Sequence, residues 1–300
     1  MQPLAPIVVF IYSRPQLTEQ TLEALAANLL ADESSLYIYA DGPKENASQE
    51  TIRRINETRA VARKKKWCKE VTIIESEKNL GLANSVIRGV TEIINKYGSI
   101  IVLEDDMITS PYFITYMNEA LSKYSNTDEV ISIHGYCPPI NYKKAETFFI
   151  KGADCWGWAT WKRGWDMMNY DSIDLKNKIE VSGKKYEFDF WGTYPYFQML
   201  EDCIEKKVDS WAILWYASAF LNNKLTLYPS SSLLKNTGTD DLATHKQDKY
   251  FMNTDILQQP VNIVSIPVEE TTEAKVLMSK YFLKHLGLRK RIKRLLHIGY

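Results

Sequence analysis

The chain has 300 residues, 45% of them hydrophobic and 25% charged, and its 37 Lys and Arg balance 37 Asp and Glu. This length fits one large α/β domain, and the composition excludes collagen-like, disordered and multi-span membrane classes. The charge is uneven, because residues 274–300 contain eight Lys or Arg and no acid. We therefore expect no nucleic-acid partner for the mildly acidic body, and an anionic surface as partner for the tail.

Strand and helix patterns alternate over the first half of the chain. The strand patterns are continuously apolar, which is typical of strands buried on both faces. This alternation predicts a Rossmann-like, doubly wound, mostly parallel sheet in an α/β fold. In chain order the predicted elements are strand 7–12, a helix from Pro15, strand 36–40, a polar helix over about 48–66, strand 71–74, helix 82–97, strand 99–103, a helix from Pro111 to about Tyr124 and strand 130–134.

Polar side chains follow three of these strands directly. Ser13 and Arg14 come after the first strand, Asp41 after the second, and Glu104-Asp105-Asp106 after the fourth. The carboxyl ends of parallel strands share one edge of the sheet, where α/β proteins bind their ligands. We therefore predict the functional site at this edge.

The acidic triplet needs a cation nearby, since adjacent carboxylates repel one another. One interpretation is a solvated turn whose carboxylates cap the next helix. The other is a hard divalent cation, Mg²⁺ or Mn²⁺, held by one or two carboxylates and by diphosphate oxygens. We favour the cation, because the next helix starts only near Pro111.

Three motifs carry a resemblance to a known family: Val102-Leu103-Glu104-Asp105-Asp106-Met107 with Pro111-Tyr112-Phe113, Asn79-Leu80-Gly81-Leu82-Ala83-Asn84, and Arg88-Gly89. Together they resemble the GT-A glycosyltransferases, in particular the first N-acetylglucosaminyltransferase of N-glycan branching and its bacterial relatives. The resemblance covers residues 5–125 well and residues 154–245 in patches. It implies one GT-A domain over 1–268, with a nucleotide-binding half (about 1–106) and an irregular, aromatic-rich acceptor half (about 107–268).

The resemblance also implies roles for individual residues on the donor side. Asp106 matches the metal ligand, Asp105 the residue that contacts ribose or sugar hydroxyls, and Glu104 the residue that holds the loop or the sugar. Asp41 matches the acid that accepts a hydrogen bond from the base, N3–H for uracil, so a UDP-sugar is the favoured donor. Ser13 and Arg14 match the turn that lines the nucleotide. Arg88 is a candidate for a phosphate contact or an ordinary surface cation.

An inverting transfer requires a general base for the acceptor hydroxyl. Asp209 is our candidate, although alignment on Trp211 places Ser210 at the family's acid; Glu201 and Asp202 are the rivals. Asp154 is expected to bind donor hydroxyls. Of Trp156, Trp158 and Trp161, we expect one to stack on a sugar. His245, in a polar loop, is expected either as a second metal ligand or as a plain surface residue.

The remaining features concern location and class. The cysteines, Cys68, Cys137, Cys155 and Cys203, lack metal-ligand spacing, so we expect buried, reduced thiols in a cytoplasmic protein. Residues 269–300 are predicted to form a basic amphipathic helical appendage with an apolar stripe through Leu277 and Tyr281, placed on the inner face of the cell membrane or docked on the domain. The predicted function is metal-dependent, inverting glycosyl transfer from a nucleotide sugar to a glycan or lipid-linked acceptor in bacterial surface-polysaccharide assembly. The alternatives are a non-catalytic carbohydrate-binding protein and a sugar-nucleotide pyrophosphorylase.

Overall fold

The computed structural model describes residues 3–238 and 254–285 of the chain. Its main feature is an eight-stranded sheet in the order β3-β2-β1-β4-β8-β6-β9-β7, with a small second sheet of β10 and β5. The strands are β1 (Ile7–Ile11), β2 (Ser35–Ala40), β3 (Glu70–Glu75), β4 (Ser99–Glu104), β5 (Met107–Thr109), β6 (Val130–His134), β7 (Thr147–Lys151), β8 (Trp158–Trp161), β9 (Leu225–Pro229) and β10 (Leu234–Asn236).

Helices cover both faces of the large sheet. Side chains of β1 alternate between the two faces, so that Val9 joins the core under α1 and α4, and Val8 joins the core under α3 and α9. This two-sided burial explains why the strand patterns are continuously apolar. The helices are α1 (Pro15–Ala26), a short 3₁₀ helix (Ala31–Glu33), α2 (Gln49–Ala62), α3 (Leu82–Tyr97), α4 (Phe113–Lys123), α5 (Lys162–Trp165), α6 (Ser172–Ser182), α7 (Lys185–Phe188), α8 (Tyr196–Ile204), α9 (Trp211–Leu221) and α10 (Thr272–His285).

The sheet is mostly parallel, as predicted. β1, β2, β3 and β4 run parallel to one another, and β6 pairs with β9 in parallel. Strand β8 is antiparallel to both β4 and β6, and β7 is antiparallel to β9. The predicted fold class, α/β with a doubly wound and mostly parallel sheet, is therefore confirmed.

Helix α10, the described part of the tail, packs against the end of the sheet. Its buried apolar side chains are Ala274, Met278 and Phe282, which join a core with Phe148 of β7. Leu277 and Tyr281, the predicted stripe, are only half-buried, so the buried face is offset by one residue from the predicted one. The buried ammonium of Lys275 pairs with Glu270. In the described part of the chain, no helix combines the length and the apolar character needed to cross a bilayer.

The four cysteines are free thiols in the structure. Cys68 and Cys137 are buried, as predicted, and burial raises the pKa of Cys68 to about 12. Cys155 and Cys203 are only half-buried, which corrects the expectation that all four are buried.

Candidate functional site

The order of the strands brings two of the predicted motifs together. β1 lies between β2 and β4, so the chain winds away from β1 in opposite directions, and β1 and β4 are paired with Phe10 opposite Glu104. Ligands of doubly wound sheets bind at such a switch point, outside the carboxyl ends of the strands. Arg14, which follows β1, therefore meets the acids that follow β4.

Arg14 forms ion pairs with two of the three acids. Its Nη2 donates to Oδ1 of Asp105, and its Nη1 lies 2.9 Å from Oδ2 of Asp106. The Asp105 and Asp106 side chains are 5% and 9% exposed, and Arg14 is 16% exposed. Burial alone would lower the pKa of Arg14, but Asp105 and Asp106 raise it above its ordinary value. Asp105 and Asp106 are thus buried and paired with a cation, while Glu104 beside them is half-buried.

The three neighbouring carboxylates of the triplet repel one another. The pKa of Glu104 is raised to about 8 by burial and by repulsion from Asp106 and Asp105. The pKa of Asp105 is raised to about 6 because burial and Asp106 outweigh the lowering effect of Arg14. A cation at the switch point would therefore stabilise the ionised forms of these carboxylates.

The segment after β10 covers Asp106. The backbone N–H of Thr237 donates to the Asp106 carbonyl at 2.7 Å, and Asn236 Nδ2 lies 3.4 Å from Asp106 Oδ1. A Cβ atom at Gly238 would lie 2.2 Å from Asp106 Oδ2, so only glycine fits this close approach. Residues 239–253, including the predicted ligand His245, lie outside the described residues.

The donor chemistry of the cluster fits a hard divalent cation. Carboxylate oxygens are donors that Mg²⁺ and Mn²⁺ prefer. Within residues 3–238 and 254–285, no three or more His, Cys, Asp or Glu side chains form a metal-ligand set. Of the described residues, Asp106 would hold such an ion, and substrate phosphates would supply further oxygens, as they do for Mg²⁺. The ion pair with Arg14 would have to open.

Asp41 holds a turn of its own protein. Oδ1 accepts the backbone N–H groups of Gly42 (2.8 Å) and Leu80 (2.9 Å), and Oδ2 accepts Asn79 Nδ2 (2.9 Å) and the Gly81 N–H (3.1 Å). A carboxylate offers about four acceptor positions, and all four are used. The geometry therefore assigns Asp41 to fixing the turn before α3 and does not support the predicted hydrogen bond to a base.

The other donor-side residues have different surroundings. Ser13 is buried beside the end of β1. Arg88 is exposed on α3 and borders a small crevice, lined also by Asp41 and Ser76, at the ends of β2 and β3. Its contact with a phosphate remains a prediction.

The three candidates for the base differ in their neighbours. Both rivals are on α8 and have a lysine nearby. Glu201 Oε1 lies 3.9 Å from Lys176 Nζ, and Asp202 Oδ1 lies 3.5 Å from Lys207 Nζ. Asp209 precedes α9, is exposed, and has no hydrogen bond or ion pair with the described residues.

Asp209 lies close to the carboxyl edge of the sheet. Its Oδ2 is 3.2 Å from the position that a Cβ of Gly81 would take, just before α3. This position near the donor-side residues favours Asp209 over Glu201 and Asp202.

The tryptophans separate into core and surface. Trp158 is 1% exposed and packs among Trp165, Trp211 and Trp215, so it offers no exposed face to a donor or acceptor sugar, and its prediction as a sugar-binding residue is not supported. Trp161 is buried, and its N–H donates to the Leu121 carbonyl. Trp156 is half-buried and borders a cavity, so it alone of the three remains a candidate for stacking on a sugar.

This cavity, which we call the aromatic cavity, was not predicted from the sequence. It has a volume of about 130 Å³ and contains one carboxylate, Asp154, which accepts a hydrogen bond from the Tyr228 hydroxyl at 3.2 Å. The density of aromatic residues after His134 was its only sequence signal. Its principal lining residues are Tyr136, Asp154, Trp156, Tyr194, Tyr196, Ser210, Tyr216, Tyr228, Met278 and Phe282.

Two solved structures are similar to this chain at low identity. No family model and no curated protein matches the chain. The crystal structure of S. aureus TarS residues 1–349 is similar with a TM-score of 0.43 and 9% identity, over 98% of this chain and 72% of that chain. UDP-glucose pyrophosphorylase, crystallised with UDP-glucose, is similar with a TM-score of 0.33 and 11% identity, over 55% of this chain and 79% of that chain. At this level the two similarities carry no conclusion about activity.

Proposed function

We propose that this protein is a metal-dependent glycosyltransferase of the GT-A type, which moves a hexosyl or N-acetylhexosaminyl group from a nucleotide sugar to an acceptor hydroxyl. The observation that carries the proposal is the cluster of Arg14 and Glu104–Asp106 at the switch point of the sheet, in which Asp105 and Asp106 are buried and Glu104 is half-buried. Neighbouring carboxylates that are removed from water repel one another, and a ligand that brings a cation relieves that repulsion.

On the donor side, we assign Asp106, together with His245 from outside the described residues, to holding Mn²⁺ or Mg²⁺. The ion, when bound, stabilises the negative charge that develops on the leaving diphosphate. Ser13 and Arg14 line the nucleotide, for which UDP is favoured. Arg14, once released from the carboxylates, provides a planar donor fork suited to phosphate oxygens. Asp105 and Glu104 face the ribose or the sugar.

On the acceptor side, Asp209 is proposed as the general base of an inverting reaction. Its carboxylate takes the proton from the acceptor hydroxyl while the hydroxyl oxygen attacks the anomeric carbon and the bond to the diphosphate breaks. Its exposure and its position beside Gly81 support this role.

The proposed setting is bacterial surface-polysaccharide assembly at the cytoplasmic face of the cell membrane. The acceptor would be a glycan or a lipid-linked oligosaccharide. The support is the tail, which has eight basic and no acidic residues from position 274 onward. Such a segment is attracted to anionic lipid head groups.

Hydrolysis of UDP-sugars tests the proposal. We expect wild-type protein to release UDP with Mn²⁺ and to lose this activity in EDTA. Asp106→Asn should lower turnover at least about 100-fold, the effect of losing a ligand to a charge-stabilising ion. The matched control is Asp166→Asn, an exposed carboxylate paired with Lys162. Turnover that is independent of Mn²⁺, or equal in Asp106→Asn and wild type, would contradict the proposal.

A non-catalytic carbohydrate-binding protein is the second candidate, and the aromatic cavity is the observation that favours it. Such a protein would show no turnover of UDP-sugars, either as wild type or as Asp106→Asn. A sugar-nucleotide pyrophosphorylase is less well supported. It would need a glycine-rich phosphate loop after β1, where this chain has Ser13-Arg14-Pro15 and enters α1 directly.

A further inference from the structure

We infer that the aromatic cavity binds one uncharged sugar ring through Asp154 and the aromatic walls. The sequence indicated that Asp154 binds the donor. We instead assign the sugar ring to the acceptor, and this assignment rests on the proposed function.

Asp154 has unused hydrogen-bonding capacity. Oδ1 accepts the backbone N–H of Cys155 at 2.8 Å, and Oδ2 accepts the Tyr228 hydroxyl at 3.2 Å. Two of about four acceptor positions therefore remain, whereas the carboxylate of Asp41 has none. The side chain is 33% exposed, and it borders the cavity. A carboxylate with two open positions matches two neighbouring hydroxyl groups of a pyranose.

The lining indicates an uncharged ligand. No Lys or Arg borders the cavity, and Asp154 is the one charged group among its lining residues in the described part of the chain. A uronate or phosphate would be repelled by this carboxylate and would find no counter-ion among the described lining residues. Aromatic rings such as Trp156, Tyr194 and Tyr196 offer flat apolar faces to the C–H side of a sugar.

One wall of the cavity is held by a strained turn. Phe190 and Trp191 have positive φ angles of 52° and 56°, which side chains other than glycine rarely adopt. The buried Lys275 ammonium lies 5.4 Å and 4.8 Å from the centres of these two rings. Such strain persists only where the surroundings enforce it, and it concentrates at binding sites.

The strained turn leads directly into the wall. Asp189, buried at its start, accepts the backbone N–H of Phe197 at 2.7 Å. The turn thereby fixes Tyr194 and Tyr196, which line the cavity and lie with their ring centres 4.5 Å apart. The wall is thus a rigid part of the fold.

The cavity is lined by residues adjacent in sequence to the candidate base and to a glycine that packs on β10. Ser210, which lines it, directly follows Asp209. Trp156, which also lines it, precedes Gly157, and Gly157 packs so closely on Leu234 of β10 that a Cβ would lie 2.0 Å from that side chain. No residue of the donor cluster lines the cavity. A sugar held there is next to Asp209 and outside the nucleotide site, as an acceptor must be.

Binding of methyl glycosides to the full-length protein tests the inference. The probes are the methyl glycosides of glucose, galactose, mannose and N-acetylglucosamine, with methyl glucuronide as the charged comparison, measured by saturation-transfer NMR at millimolar concentrations. We expect at least one uncharged glycoside to bind wild type and the glucuronide not to bind. Asp154→Asn should weaken binding at least about tenfold, because hydrogen bonds to a charged group are lost.

Tyr228→Phe provides a second variant that removes only a hydroxyl and should cause a smaller loss of glycoside binding. Asp166→Asn is the control and should bind as wild type does. UDP binding with Mn²⁺ should be equal in all four proteins, since the cavity shares no residue with the donor cluster. Circular dichroism confirms that each variant is folded.

The outcomes separate this inference from the proposed function. If UDP binds but no uncharged glycoside does, or if Asp154→Asn binds glycoside as wild type does, the cavity assignment is wrong. Equal binding of glucuronide also overturns it. If a glycoside binds in an Asp154-dependent manner and UDP does not bind, the proposed transferase fails and the sugar site stands.

Discussion

Replacing Glu104 with Gln tests the repulsion among the carboxylates at the switch point. Glu104 is the last residue of β4 and is half-buried beside Asp105 and Asp106. Its pKa is raised from 4.5 to about 8 by burial and by the two aspartates. Between these two pH values the folded protein holds a proton that the unfolded chain releases. The free energy of unfolding therefore falls as pH rises from about 4.5 to about 8, and levels off above.

The magnitude follows from the size of the shift. A rise in pKa from 4.5 to about 8 corresponds to at most about 5 kcal/mol at about 1.4 kcal/mol per unit. Because Glu104 is half-buried and water screens part of the repulsion, we expect about 2 kcal/mol. Gln has the same shape and does not ionise. Glu104→Gln should therefore be more stable than wild type by about 2 kcal/mol at pH 7.5, and equal to it at pH 4.5.

The assay is urea unfolding of both proteins in EDTA at pH 4.5, 6 and 7.5. The control is Glu75→Gln, which changes a surface carboxylate that pairs with Arg63. This variant should not become more stable than wild type as the pH rises. If the difference between Glu104→Gln and wild type is the same at all three pH values, or if the variant is the less stable protein at pH 7.5, then the cluster is already balanced and the reasoning fails.

Three further changes test other parts of the molecule. Asp41→Asn should lower the free energy of unfolding by about 2 kcal/mol, measured with urea, because Asn cannot accept all four hydrogen bonds. Unchanged stability with weaker UDP binding would instead support a hydrogen bond between Asp41 and the uracil ring. Gly238→Ala should weaken the Mn²⁺-dependent binding of UDP at least about tenfold in calorimetry, since the new Cβ would meet Asp106 Oδ2; unchanged affinity would show that this contact is unimportant. Deleting residues 286–300, which leaves the buried face of α10 intact, should move the protein from the membrane fraction to the soluble fraction; unchanged partitioning would contradict the proposed membrane contact.

The nucleotide-side half of the fold was predictable from local pattern. The helix predicted over 82–97 has these bounds in the structure, and the first four strands differ from their predictions by one residue at most at either end. These elements are buried on both faces or clearly amphipathic, so the period of their apolar residues reveals them. Gly98, at φ +80°, ends α3 in the left-handed conformation.

The acceptor half was not predictable in this way. β8 consists of Trp158–Trp161 and lies between two strands in the middle of the sheet, so its residues are buried on both faces and show no alternation. A run of four such residues is too short to distinguish from a helix or a loop. Its pairing with β4 and β6 depends on contacts far apart in sequence.

The site shows the same division between local and distant contacts. The sequence places Arg14 and the acidic triplet at one edge of the sheet, because that follows from the strand order alone. It does not show that Arg14 pairs with Asp105, 91 residues away, or that all four acceptor positions of Asp41 bind the turn before α3. Those contacts depend on the register of neighbouring strands and on side-chain geometry.

A crystal structure of the protein grown with UDP and Mn²⁺ tests the central claim most directly. We predict anomalous scattering from manganese beside Asp106, with oxygens of the diphosphate completing its ligands and with the Arg14 guanidinium moved from Asp106 toward a phosphate. Manganese and UDP bound at another place, with the pairs from Arg14 to Asp105 and Asp106 intact, would contradict the account.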